Sequence, residues 1–102
     1  MDLVVSFGYK YKPKLNEYDA VYDVRHFPNP HSNPCLRPLD GTDIRVQVVV
    51  LSNPQVQKFI DEIVTANHHK IAIGCYGGRH RSVAIAEEIA RLTGAQICHL
   101  HL

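Results

Sequence analysis

The residues most able to do chemistry in this chain are concentrated between positions 75 and 82. Cys75 is followed by two glycines and then by a run of cationic and hydroxyl side chains. Glycine lets a backbone come close to a ligand, and arginine can donate two parallel hydrogen bonds to a phosphate or a carboxylate. The segment therefore predicts a loop that binds an oxyanion, with contacts from Cys75, Tyr76, Gly77, Gly78, Arg79, His80, Arg81 and Ser82.

Two regular elements must position this loop. Residues 70–75 form a short apolar run with isoleucine at alternate positions, which predicts a buried strand. Residues 83–93 place apolar and charged side chains with a helical period and are followed by Gly94, which predicts an amphipathic helix with a glycine cap. A glycine loop between a strand and a helix N-terminus presents free N–H groups and the positive end of the helix dipole to an anion.

The spacing within the loop also resembles a catalytic pattern. The order Cys-x-x-Gly-x-x-Arg-Ser, from Cys75 to Ser82, is similar to the phosphate loop of cysteine-dependent tyrosine phosphatases, in which a thiolate attacks phosphorus. Gly74 stands where the phosphatase pattern has histidine. Two interpretations of Cys75 follow. It is either a nucleophile that works with Arg81 and an acid, or a small residue beneath a bound anion. Candidates for the acid are Asp23, Asp40 and Asp43.

A longer resemblance covers nearly the whole chain. Residues 74–83 read Gly-Cys-Tyr-Gly-Gly-Arg-His-Arg-Ser-Val and look like the Gly-Cys-x-Gly-Gly-[Lys/Arg]-His-Arg-Ser-Val segment in the C-terminal domain of the RapZ/YvcJ family. Residues 6–10 resemble that domain's opening Ser-Phe-Gly-[Phe/Tyr]-Lys, and residues 23–25, 28–31 and 36–41 follow in the family's order. The sequence is identified as a member of this nucleotide-binding family, as a stand-alone version of its C-terminal domain.

The resemblance implies a sensor domain rather than an enzyme. The family's domain is similar to a sugar-phosphate site that recognises glucosamine-6-phosphate. By motif, Cys75, Gly77, His80 and Arg81 would line the phosphate or the sugar, with His31 from an opposing loop. On this basis no catalytic residue is expected, and Cys75 is expected to lie beneath the anion. Tyr11 stands where the best-known members have a histidine.

The resemblance also implies RNA as a second partner, because the family's C-terminal domain binds small RNA. Lys10, Lys12 and Lys14, together with the two arginines of the loop, could contact RNA phosphates. No P-loop motif occurs in residues 1–102, and we expect the protein to lack the basic tail of the RNA-adapter members. We therefore expect an anionic small molecule such as a sugar phosphate as the main partner, RNA as a further one, and assembly as a homo-oligomer or with a separately encoded P-loop protein.

The remaining segments predict one small layered α/β domain over residues 1–102. Residues 3–7, 20–24 and 95–102 are typical of strands, and Asn53-Pro54 begins a helix that ends near Asn67. Strands that alternate with helices predict a largely parallel sheet with helices packed on its faces. Residues 44–51 alternate as a strand would, but the resemblance implies a short helix, which we adopt.

Two loops are candidates for the walls of the site. Residues 9–19 form either a solvated connection or one wall, since they follow the end of a strand. Residues 25–34 contain three prolines and cannot be regular structure. Arg25 and His31 favour a ligand-binding role for this second loop, and Asp23 is expected to orient Arg25 or to cap a turn.

Composition limits the remaining classes. A chain of 102 residues with 45% hydrophobic residues can build one core, and a net charge of +1 gives no bulk electrostatic argument for nucleic acid. No apolar run reaches membrane-spanning length and no signal-peptide pattern opens the chain. Three cysteines without framework spacing fit a reducing compartment. We expect a cytoplasmic protein without a membrane partner or a cofactor, with Cys35 and Cys98 as packing residues. We also expect no metal, because His99 and His101 alone do not make a site.

Overall fold

A computed structural model describes every residue from Met1 to Leu102 as an α/β fold. The four strands are Leu3–Gly8 (β1), Ala20–Asp23 (β2), Lys70–Cys75 (β3) and Gln96–His99 (β4). The three α-helices are Ile44–Leu51 (α1), Pro54–Ala66 (α2) and Arg81–Thr93 (α3). Short 3-10 turns occupy Tyr9–Tyr11 and Pro30–Ser32.

The sheet is parallel throughout, with the strand order β2-β3-β1-β4. The central pair, β1 and β3, is buried from its second residue to its last, which explains the continuous apolar runs in the sequence. In a parallel sheet all carboxyl ends meet at one edge. Gly8 is paired with Cys75 there, and Asp23 with Gly74, so three strand ends converge on the β3–α3 loop. The prediction of a largely parallel α/β sheet is confirmed.

The core lies between one face of the sheet and the helices. Val4, Ile71 and Ile73 project from that face, because side chains alternate along a strand, and all three are fully buried. Helix α3 packs against β1, β3 and β4 and carries α1 and α2 on its flanks. Each Å² of apolar surface removed from water stabilises the folded state by about 25 cal/mol, so the burial of this face contributes strongly to stability.

The ambiguous segment 44–51 is the helix α1. The Asp43 side chain accepts a hydrogen bond from the amide of Arg45 and so caps its N-terminus. Val46 and Val50 are buried one helical turn apart, whereas Val48 and Val49 are exposed. Helix α2 is confirmed as well, with Asn53 as its N-cap and Asn67 in the left-handed conformation after its end.

Two sequence-based expectations about the C-terminal region and the cysteines are wrong. The last strand runs from Gln96 to His99 rather than from residue 95 to residue 102. The Leu100 amide still donates to the Ser6 carbonyl of β1. The Gly8 amide then donates to Nδ1 of His101 at 2.8 Å instead of to a main-chain carbonyl. Cys35 and Cys98 are exposed free thiols and do not pack in the core.

None of the helices has the combination of length and apolar character needed to cross a bilayer.

Candidate anion-binding site

The loop between β3 and α3 rests directly on the end of β1. A Cβ atom on Gly8 would lie 2.6 Å from the carbonyl carbon of Gly77, and a Cβ atom on Gly78 would lie 2.6 Å from the Gly8 nitrogen. Gly78 also has φ of +71°, a conformation that side chains other than glycine adopt only with strain. These two glycines therefore hold the loop against the sheet edge.

A cavity of about 310 Å³ opens over this loop. Its walls come from three segments that are far apart in sequence, namely the β3–α3 loop, the 3-10 turn after β1 and the proline-rich loop after β2. The lining residues are Lys10, Asn29, His31, Cys75, Tyr76, Gly77, Arg79, His80 and Arg81. A Cβ atom on Gly77 would meet no atom within 4 Å, so the loop leaves open space above that residue.

Arg81, the first residue of α3, is buried beside this space with 5% of its surface exposed. Its Nη1 donates to the carbonyl oxygens of Arg25 at 2.7 Å and of Phe27 at 3.0 Å. Its Nε is buried and has no hydrogen-bond partner. A buried donor without a partner costs about 1–3 kcal/mol. The guanidinium is thus held through Nη1, whereas Nε is left without a hydrogen bond.

His80 supplies a second buried nitrogen without a partner. The residue is 7% exposed, and its Nε2 makes no hydrogen bond. Burial lowers the pKa of His80, the backbone of Leu39 and Leu36 opposes that effect, and the charges of Arg79 and His31 lower the pKa further. These effects together favour the neutral form of the ring. It faces the His31 ring edge-on at a centroid distance of 6.2 Å.

Cys75 ends β3 at the floor of the cavity. Its Sγ lies 3.1 Å from the Ser82 hydroxyl oxygen and accepts a hydrogen bond from the Gly78 amide at 3.3 Å. Burial raises the pKa of the Cys75 thiol, but the Ser82 hydroxyl and amide, the Gly78 amide and the Arg81 charge outweigh it, so the pKa is lowered overall. The loop therefore favours the thiolate form at this sulfur.

Asp23 is engaged at the end of β2 by Arg25. The Asp23 carboxylate accepts hydrogen bonds from the Arg25 amide and guanidinium, the shortest at 2.7 Å. The Arg25 side chain lies over the Tyr9 ring at 3.9 Å. Hydrogen bonds from the Arg25 side chain are the main reason that the pKa of Asp23 is lowered. Asp23 orients Arg25, as expected, and it is ionised at neutral pH, which makes it a poor proton donor.

The structure brings most of the predicted site residues together and leaves some outside. The cavity unites the loop residues with His31 and Lys10. Gly78 and Ser82 are buried behind the cavity, and Arg25 lies outside its lining. Lys12 and Lys14 are exposed and do not line it, and neither does Tyr11, which stacks on the His101 ring at 4.2 Å.

Asn29 is the lining residue that the sequence reasoning missed. Its side chain accepts a hydrogen bond from the His31 amide at 3.1 Å and so begins the 3-10 turn that carries His31. The signal was present in the sequence, because Asn29-Pro30 has the same N-cap and proline order as Asn53-Pro54 at the start of α2.

The sequence profile described as the RapZ C-terminal domain matches residues 3–102, and so covers the β3–α3 loop, both flanking loops and all four strands. The chain belongs to the RapZ C-terminal domain family. The resemblance inferred from the loop motif is confirmed.

Curated relatives of this RapZ C-terminal domain carry the name nucleotide-binding protein. One from Rubrobacter xylanophilus is 41% identical over 90% of the chain and 34% of its own length. Another from Corynebacterium jeikeium is 44% identical over 86% of the chain and 34% of its own length. A third, from Shewanella violacea, is 42% identical over 85% and 35%. The chain thus spans about a third of the length of the curated relatives it matches.

Proposed function

We propose that the cavity binds the phosphate group of a small sugar phosphate and that the domain acts as a sensor of that metabolite. One observation carries this proposal, namely that Arg81 is held by two main-chain carbonyls while its buried Nε has no partner. A phosphate oxygen over Gly77 could accept from Nε and would satisfy it. Arginine suits this role because its donors match the spacing of phosphate oxygens.

The size and lining of the cavity support a small ligand. About 310 Å³ is at the lower end of the range for small-molecule sites, which is suitable for a phosphorylated monosaccharide. The His80 Nε2, the Asn29 amide and the Tyr76 hydroxyl could contact sugar hydroxyl groups. Binding without turnover is favoured, because the nearby Asp23 carboxylate is occupied by Arg25 and is not protonated at neutral pH.

The two adjacent loop glycines provide the test. In Gly77→Ala the added methyl group enters open space, so the fold is retained while phosphate is displaced. By calorimetry with glucose 6-phosphate we expect binding by the wild type and at least about tenfold weaker binding by Gly77→Ala, with an unchanged melting temperature. Equal affinity of the two proteins, or no binding by the wild type at millimolar ligand, would contradict the proposal.

We infer that the lysine-rich segment beside the cavity can contact RNA phosphates, as the family resemblance implies. Lys10, Lys12 and Lys14 lie in or just after the turn that follows β1, and none of them forms an ion pair. A triple alanine variant is expected to weaken binding of a structured RNA and to reduce the slope of log K against log salt, since each lost phosphate contact lowers that slope by about one. Unchanged RNA affinity in this variant would show that these lysines do not bind RNA.

The lowered pKa of Cys75 favours a second candidate, a cysteine-dependent phosphatase. In that reaction the Cys75 thiolate would attack phosphorus, an S–P bond would form as the P–O bond breaks, and the leaving oxygen would take a proton from an acid. Water would then release phosphate from the cysteine. Turnover of an aryl phosphate that disappears in Cys75→Ser would establish this activity, and turnover that persists in Cys75→Ser would exclude the thiolate mechanism.

A further inference from the structure

Cys75 is the one cysteine of the chain that lines the cavity. Cys35 and Cys98 are exposed and lie outside the lining. Only 3% of the surface of Cys75 is exposed, so a reagent reaches its sulfur through the cavity. A volume of about 310 Å³ admits a molecule as small as a peroxide. The thiol at the end of β3 is therefore accessible to the same small molecules that enter the cavity.

The groups around this sulfur favour its reactive form. The Gly78 amide donates to Sγ at 3.3 Å, and the Ser82 hydroxyl oxygen lies 3.1 Å from it. Burial raises the pKa of the thiol, but these two residues and the charge of Arg81 outweigh that effect. The thiolate is the form of cysteine that peroxides oxidise. Thiolate character and access by small molecules, the two conditions for oxidation, thus coincide at Cys75.

Two buried nitrogen atoms at the same cavity have no hydrogen-bond partner. They are Nε of Arg81 and Nε2 of His80, and both residues line the cavity together with Cys75. Arg81 is 5% exposed and His80 is 7% exposed. A buried polar atom without a partner is unfavourable, so a polar group in the cavity would be stabilised by these atoms. A sulfenic acid on Cys75 supplies such a group, since its oxygen accepts a hydrogen bond and its O–H donates one.

We propose that Cys75 is a site of reversible oxidation by peroxides and that its sulfenic acid excludes phosphate from the cavity. The thiolate attacks one peroxide oxygen, so an S–O bond forms as the O–O bond breaks. Sulfur loses an electron pair, and the departing hydroxide or alkoxide takes a proton from water. A small external thiol then displaces water to form a mixed disulfide, and a second such thiol releases Cys75. The inference rests on the proposed function, because the added oxygen obstructs the phosphate position over Gly77.

The selectivity of oxidation is tested with hydrogen peroxide at neutral pH. Dimedone labels sulfenic acids, and mass spectrometry locates the label. We expect Cys75 to be labelled at least about fivefold faster than the exposed Cys98. Labelling of Cys75 that is no faster than that of Cys98 would overturn the inference. It would leave the proposed function intact, since calorimetry on the reduced protein measures sugar-phosphate binding independently.

The effect on binding is tested with a protein that retains Cys75 as its only cysteine. The combination of Cys35→Ser and Cys98→Ser changes exposed residues alone. We expect glucose 6-phosphate to bind this protein at least about tenfold more weakly after peroxide treatment, and dithiothreitol to restore the affinity. In the matched control, Cys75→Ser, peroxide should leave the affinity as it was before treatment.

The outcomes separate the inference from the proposed function. Equal affinities of the oxidised and reduced proteins would overturn the inference alone, and so would a loss of affinity that dithiothreitol does not reverse. A loss of affinity in peroxide-treated Cys75→Ser would also overturn it, because the loss would then arise at another residue. Failure of the reduced protein to bind glucose 6-phosphate at millimolar concentration would overturn the proposed function itself.

Discussion

Nη1 of Arg81 lies 2.7 Å from the carbonyl oxygen of Arg25, and this bond ties the first residue of α3 to the loop that follows β2. A second bond, to the carbonyl oxygen of Phe27, fixes the plane of the guanidinium. The arginine that faces the cavity is therefore oriented before any ligand arrives. Preorganisation of this kind reduces the entropy lost on binding.

Arg81→Lys tests this orientation. A lysine retains the positive charge, but its ammonium group lacks the planar guanidinium that contacts two carbonyls and a ligand at once. We expect glucose 6-phosphate to bind at least about tenfold more weakly and the free energy of unfolding to fall by about 1–3 kcal/mol, because buried carbonyls lose their donor. Urea denaturation and calorimetry measure the two effects. Arg91→Lys, at an exposed position of the same helix, is the control and should change neither the affinity nor the free energy of unfolding. An Arg81→Lys protein with unchanged affinity and stability would contradict the role given to the Arg81 guanidinium.

Gly78→Ala should destabilise the fold, in contrast to its neighbour Gly77. The added Cβ would approach the Gly8 nitrogen to 2.6 Å, and φ is +71° at this residue. We expect the free energy of unfolding to fall by about 2 kcal/mol or more, from overlap and backbone strain together. Denaturant unfolding of the two alanine variants side by side is the measurement. A Gly78→Ala protein as stable as Gly77→Ala would show that the loop does not rest on β1 in the way described.

The Cys75 thiol should react as a thiolate at a lower pH than an ordinary cysteine. Burial raises its pKa, but the Ser82 hydroxyl, the nearby amides and Arg81 outweigh that effect. Alkylation by iodoacetamide, followed residue by residue with mass spectrometry, is expected to have its midpoint at a lower pH at Cys75 than for an unperturbed cysteine thiol. Ser82→Ala should move the midpoint upward, and glucose 6-phosphate should protect Cys75 but not the exposed Cys98. Equal protection of both thiols, or protection of neither, would show that Cys75 does not lie in the ligand site.

The stability of the protein should decrease as His101 becomes protonated. The Gly8 amide donates to Nδ1 of this ring, and burial lowers the pKa of His101. A lowered folded-state pKa means that the unfolded chain binds the proton more readily, so stability rises with pH through this window. The contribution is complete above about pH 6.5 and diminishes as the pH falls below that value. Melting temperatures of wild type and His101→Phe should therefore differ more at pH 8 than at pH 5, and a constant difference would contradict this account.

The structure could be predicted from the sequence where the type of a residue itself explains its conformation or burial. Gly94 and Asn67 end their helices in the left-handed conformation, and the isoleucines at positions 71 and 73 mark a buried central strand. The β3–α3 loop could be predicted for the same reason. Residues 44–51 could not be predicted from alternation, since a short helix with Val46 and Val50 buried shows nearly the same pattern as an exposed strand.

Other features depend on contacts that leave no local signal. The carbonyls that hold Arg81 belong to main chain and are independent of the side chains at positions 25 and 27. The early end of β4 depends on a single side chain, that of His101, which replaces a carbonyl as the acceptor for the Gly8 amide. The exposure of Cys98 follows from its place on the edge strand β4, which nothing in its own neighbourhood specifies.

The Arg81 Nε–H signal in a ¹⁵N-correlated NMR spectrum tests the central claim most directly, because this nitrogen is buried and has no partner in the free protein. During titration with glucose 6-phosphate, we expect this signal and the Gly77 amide signal to move together and to saturate at one common concentration, while the Arg91 Nε–H signal stays in place. Signals of Arg81 and Gly77 that remain unmoved up to millimolar ligand would contradict the account.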